Sequence, residues 1–222
     1  MRTFKFILFC ALAFCAACST DTAVQRRGKD IYPGFAALKA ANTEGLDYSR
    51  EIYDRGSRIS ILAIHGGDIE TTTARIARHV AGKDLNLYLF NGWHGRDNLD
   101  LHLTATNFDD PDAMRLASAS ALAVSIHAEA GRGEIVCVGG KNTTAAALIA
   151  KSLEAAGFAA EFPCARLPGT SVKNIVNLPP AGGVQLEINA HLLRRLEADE
   201  EELSRFSEAV RLAALEALPN IK

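Results

Sequence analysis

Apolar residues come in short runs separated by segments of helical period, and their alternation sets the fold class. Arg58 to Ile64 is an Ile-rich run that stops at His65-Gly66-Gly67, as a buried strand does where it enters a loop. Glu70 to Val80 follows as a helix, and Leu85 to Phe90 and Leu101 to Thr106 read as strands. Asp110-Pro111-Asp112 opens a helix with acids in its first turn. Leu122 to Ile126 and Glu134 to Val138 are further strands, and Asn142 to Ala156 is an Ala-rich helix stopped by Gly157. Gly183 to Ile188 is a late strand, and Asp199 to Leu218 closes the chain as an amphipathic helix. From Asp21 to Asp54 no period holds, which predicts a tether followed by irregular structure. Alternating strands and helices with apolar strand interiors predict α/β: an open, mostly parallel or mixed twisted sheet with helices on both faces. Ligands in such folds bind at strand carboxyl ends.

Composition narrows the partners. The chain has 222 residues, 48% hydrophobic, enough to bury a core without help from metals or disulfides. Lys plus Arg number 24 against 26 Asp plus Glu, so no whole-chain basic field exists to grip nucleic acid. At the amino end, Arg2 and Lys5 precede the apolar run Phe6 to Ala17, which is too short for a membrane span and reads as an export signal. Cleavage before Cys18 leaves a mildly acidic chain. Phe14-Cys15-Ala16-Ala17-Cys18-Ser19 resembles a bacterial lipoprotein cleavage site, with Cys15 where that pattern usually has Leu; lipidation of Cys18 and ordinary cleavage near Ala17 both remain open. Cys137 and Cys164 could pair in an oxidising compartment, but Cys137 lies in the run Glu134 to Val138, where a buried free thiol is the commoner state.

Three segments carry metal-competent side chains at or just after strand ends: His65 with Glu70, His127, and Glu187. Gly66-Gly67 permits a turn sharp enough to bring Glu70 back beside His65. Two imidazoles and a carboxylate form a ligand set found in catalytic zinc sites, with a fourth position left for water. Each residue alone also reads as structural: a satisfied core histidine, or an acid at a helix start. Glu187 interrupts the apolar run Val184 to Ile188 and therefore needs a partner, either a reacting water or an ion pair with Arg194 or Arg195. Glu129, two residues past His127, could hold that ring or face solvent. Gly139-Gly140-Lys141-Asn142 lacks phosphate-loop spacing and reads as a tight turn.

Four ordered motifs resemble those of the poly-γ-glutamate hydrolase family: His65-Gly66-Gly67-Asp68-Ile69-Glu70; Leu101 to Asp109; Ser125-Ile126-His127; and Gly183 to Ile188. The resemblance runs from about Ile31 to Arg195. It implies a zinc carboxypeptidase-like fold and a zinc-dependent hydrolase of γ-glutamyl amide bonds, most directly poly-γ-glutamate. It further implies one Zn2+ ion on His65, Glu70 and His127, with Glu187 as general base. Asp68 stands where the family pattern leads us to expect Gly. A γ-linked glutamate substrate carries a free α-carboxylate beside each scissile amide, so cations are expected nearby; Arg96 and Arg194 are the arginine candidates, with Lys173 behind them. His102 and Asn107 are candidate substrate-orienting residues. The expected organisation is a signal peptide over 1–17, a tether and irregular segment over 18–54, and one α/β catalytic domain over 55–222. The expected location is the periplasm or cell envelope, with membrane attachment through lipid on Cys18. Rival readings are a γ-D-glutamyl peptidase acting on peptidoglycan stem peptides, and a non-catalytic module binding a carboxylate polymer or cell wall.

Overall fold

Residues 30–93 and 99–221 are described in the computed structural model of the chain; the export signal, Cys18, His94 and Arg96 lie outside the described residues. Seven strands form a single sheet: β1 (Tyr48–Tyr53), β2 (Ile59–Gly67), β3 (Asn86–Gly92), β4 (Leu122–Glu129), β5 (Ile135–Gly139), β6 (Ala159–Glu161) and β7 (Val184–Asn189), in the order β1-β3-β2-β4-β7-β5-β6. β1 against β3 and β5 against β7 are antiparallel and the other pairs are parallel, so the sheet is mixed around a parallel centre. The inner strands β2, β3, β4 and β7 are buried along nearly their whole length because both faces are covered.

Residues of opposite parity supply the two cores. Ile61, Ala63, Leu87, Leu89, Val124 and Ile126 pack on Ile76, Val80, Ile149, Leu153, Phe206 and Val210. Those partners come from α2 (Thr73–Ala81), α4 (Thr143–Ala155) and α6 (Glu200–Ala217), joined by Leu192, Leu193 and Leu196 of α5 (Ala190–Ala198). Leu62, Ile64, Tyr88 and Phe90 face the other way, against Phe35 and Leu38 of α1 (Phe35–Ala41), Leu116 of α3 (Pro111–Ser118), and Phe108. Helix starts follow local chemistry. The side chains of Asp110, Asn142 and Asp199 accept backbone N–H groups of the first turns of α3, α4 and α6.

Three expectations need correction, and one element was not anticipated. The stretch read as tether and irregular holds α1 and β1, and the short strand β6 carries no clear period. Leu101 to Thr106 is not a strand: Leu101 and Leu103 are buried, which produces the alternation, but its backbone amides go to turns and to Asp30 rather than to a neighbouring strand. His102 N–H donates to Leu99, Thr104 N–H to the Asp30 carboxylate, and Asn107 and Phe108 N–H to Thr104. Finally, Cys137 and Cys164 are joined in a disulfide, with Cα atoms 4.9 Å apart and a sequence separation of 27. Cys164 N–H donates to the Val138 carbonyl at 2.9 Å, so the loop after β6 lies directly on β5. Closing a loop of that length removes unfolded-chain entropy worth about 3 to 4 kcal/mol.

Candidate metal centre

The site begins at an irregularity in β2. Ala63 pairs with Leu89 and Gly66 with Asn91, so three steps along β2 match two along β3. The extra residue is a bulge that puts Ile64 and His65 on one face. In regular alternation His65 would point into the opposite core. Gly66 admits no side chain, since a Cβ there would stand 2.4 Å from Asn91 Oδ1 and 2.8 Å from Ala74 Cβ. Gly67 has φ +69°. The turn returns Glu70, whose N–H donates to the His65 carbonyl at 2.8 Å. Strand register supplies the rest: His127 on β4 is the neighbour of Glu187 on β7, in a parallel pair whose side chains share a face.

Ligating atoms of His65, Glu70 and His127 all lie within 4.8 Å of one another, and all three residues are buried. His65 Nδ1 is 2.9 Å from Glu70 Oε1 and 3.2 Å from His127 Nδ1, which is 3.5 Å from Glu70 Oε2. Ligands about 2.0 to 2.2 Å from a tetrahedral zinc stand about 3.3 to 3.6 Å apart, so these separations fit that ion after small shifts. The proton inventory points the same way. His65 Nε2–H donates to the Leu103 carbonyl at 2.8 Å, leaving its Nδ1 lone pair aimed at a carboxylate and a second imidazole. Such convergence of electron pairs calls for positive charge between them. The residues present therefore fit a metal.

Burial opposes charge on Glu70, yet the adjoining His65 and His127 hold its carboxyl well below the usual carboxylate range. Ala128 N–H also donates to Glu70 Oε2 at 2.9 Å. His102 stacks on His65 with centroids 4.0 Å apart, and its Nδ1 is 3.7 Å from Asp30 Oδ1. Burial first, and then the neighbouring His65, push the His102 imidazole down to about 3. Unfolded, that group binds its proton near 6.5, so the folded state is favoured fully above 6.5 and loses the advantage as pH falls toward 3. The metal-free chain is expected to lose about 2 kcal/mol between pH 7 and pH 5, read as a falling urea midpoint. A midpoint that stays level in wild type, or that falls as steeply in His102→Gln, would contradict this account.

A cavity of about 580 Å³ opens over the cluster, lined by His65, His102, His127 and Glu187 among others. Glu187 Oε1 accepts from Gln185 Nε2 at 2.8 Å, and Gln185 Oε1 accepts from Asn174 Nδ2 at 2.7 Å. The ion pair considered for Glu187 is not formed with Arg195, which pairs with Glu134 and Glu202. Arg194 is exposed on α5 and Lys173 on a loop; neither lines the cavity. Asn107 also lies outside the lining and donates to Asp30 Oδ2 at 2.7 Å. Asp68 is exposed and lies outside it as well. Glu129 does not hold the His127 ring; its Oε1 pairs with Arg166 Nη2 at 2.6 Å. Sequence reasoning missed Asp30, Arg166, Asn174 and Gln185. The first three sit in segments without period, and Gln185 falls in a strand and a motif whose chemistry points to Glu187 instead.

The family model described as poly-gamma-glutamate hydrolase matches residues 32–208. The chain belongs to that family. Its fold superposes on a bacteriophage poly-gamma-glutamate hydrolase with TM-score 0.81 and 32% identity, covering 86% of this chain and 100% of that one. It superposes on the zinc-free apo form of YndL with TM-score 0.77 and 30% identity, covering 85% and 98%. In sequence, this poly-γ-glutamate hydrolase family member is 39% identical to the SPbeta prophage-derived protein YoqZ of Bacillus subtilis (strain 168) over 75% of its own length. The chain spans 61% of YoqZ. Against YndL of the same organism the identity is 34%, over 76% of this chain and 67% of the relative.

Proposed function

We propose that this chain is a zinc-dependent hydrolase of γ-glutamyl amide bonds whose substrate is poly-γ-glutamate. The observation that carries the reading is the meeting of His65, Glu70 and His127 donor atoms within 4.8 Å, beside the cavity that His65, His127 and Glu187 line. Membership of the hydrolase family supports it, as do the bacteriophage hydrolase and the zinc-free YndL structure among its relatives. His65, Glu70 and His127 would hold one Zn2+. Bound there, the ion supplies Lewis acidity, lowering a water's pKa and polarising an amide carbonyl. Glu187 accepts the attacking water's proton and returns it to the leaving amine. Gln185, held by Asn174, orients that carboxylate. The Leu103 carbonyl keeps His65 in the tautomer that presents Nδ1 to the cluster.

The proposal includes export through residues 1–17 and membrane attachment through lipid on Cys18. For the activity itself, the purified chain is expected to contain one zinc and to cleave γ-linked but not α-linked polyglutamate. A chelator is expected to abolish cleavage and added zinc to restore it, followed by product chromatography and elemental analysis. Cleavage confined to wall stem peptides would move the substrate to peptidoglycan. A zinc-loaded chain that binds the polymer without product would leave a binding module instead.

A further inference from the structure

The proposed substrate is a polyanion, and the cavity is rich in acids. Asp30 and Glu187 line it, while Glu70 and Glu129 are buried close to it. Among the described residues lining the cavity, Arg166 is the only Arg or Lys. A chain with a carboxylate on every residue has to meet a fixed cation there to offset repulsion and to set which amide reaches Glu187.

Arg166 is placed with unusual care for a loop residue. Two residues before it, Cys164 is joined to Cys137 on β5, the strand neighbour of Glu187. The Cys164 N–H to Val138 carbonyl bond, the Ala165 N–H to Glu161 Oε1 bond at 3.1 Å, and the Gly140 N–H to Pro168 carbonyl bond at 2.8 Å fasten both sides of the loop. Glu129, buried at the end of β4, takes Nη2 at 2.6 Å, and Glu161 stands 3.8 Å from the same nitrogen. A guanidinium has five N–H donors, so one held at Nη2 still has others to offer a ligand. Its side chain is 43% exposed, which leaves it within reach of substrate.

We infer that Arg166 is the specificity-determining residue that grips the free α-carboxylate flanking the scissile γ-amide, with Glu129 and the Cys137–Cys164 bridge as its positioning elements. This rests on the hydrolase reading for its ligand but predicts binding separately from turnover. The zinc-loaded Glu187→Gln protein is titrated calorimetrically with a γ-linked glutamate pentamer, and with the same pentamer bearing carboxamides in place of its α-carboxylates. The acid form is expected to bind about 30- to 100-fold more tightly. Adding Arg166→Gln should bring that ratio within about threefold, and Arg166→Lys should leave an intermediate value, because a point charge replaces a planar fork. Near-UV circular dichroism of each variant should match the parent. Equal weakening of both ligands, an unchanged ratio, or no binding of the acid pentamer to the parent would overturn the assignment. An Arg166-dependent ratio in a chain whose wild type shows no turnover would remove the hydrolase reading and leave this one standing.

Discussion

Replacing Glu187 by Gln is expected to leave zinc content unchanged and to slow hydrolysis of γ-linked polyglutamate by about 10²- to 10⁴-fold, the range a general base contributes. The substitution keeps shape and removes only the ability to take up a proton. Gln185 Nε2 donates to Glu187 Oε1, and an amide oxygen in the same place can accept that bond, so the local network survives. Glu187 is not among the three converging metal-competent residues, which is why metal retention and activity are expected to separate. Elemental analysis, initial rates and thermal melts on one preparation check all three. Activity within about tenfold of wild type would assign the proton transfer to another group.

His65→Ala is expected to lose metal and activity together. It deletes the residue in contact with both other members of the cluster, and it leaves the Leu103 carbonyl and the Glu70 carboxylate without its N–H and ring. Two remaining donors cannot close a three-ligand site, so zinc is expected to exchange readily into a competing chelator dye, with hydrolysis below detection. His102→Gln, which keeps all three donors, is the matched control and should hold zinc. Tight stoichiometric zinc in His65→Ala would show that the ion binds elsewhere.

Much of the architecture was readable in one dimension. β2, β3, β4, β5 and β7 fall within a few residues of the apolar runs, and α4 and α6 begin one residue after the Asn and Asp that cap them. The motif around Leu101 misled because burial alternates there without a strand to pair with, and α1 with β1 escaped because their mixed polarity suits a helix and an edge strand exposed on one side. At the centre, His65, Glu70 and His127 stood out by residue type at strand ends, and the family motifs drew attention to the same three. The sequence points to Arg96 and Arg194 as the cation; the structure puts Arg194 outside the cavity lining and Arg166 within it.

Hydrophobic period and capping, local properties that act within one or two turns, set the order and type of most elements, and residue type alone marks the metal-competent side chains. Tertiary structure alone decided the bulge that turns His65 onto the face of His127, the register that sets Glu187 beside it, the pairing of Cys137 with Cys164, and the placing of Arg166 and Asp30 at the cavity. Those outcomes depend on which strands lie next to one another and by how many residues they are offset, a balance of packing between distant segments that no local pattern encodes.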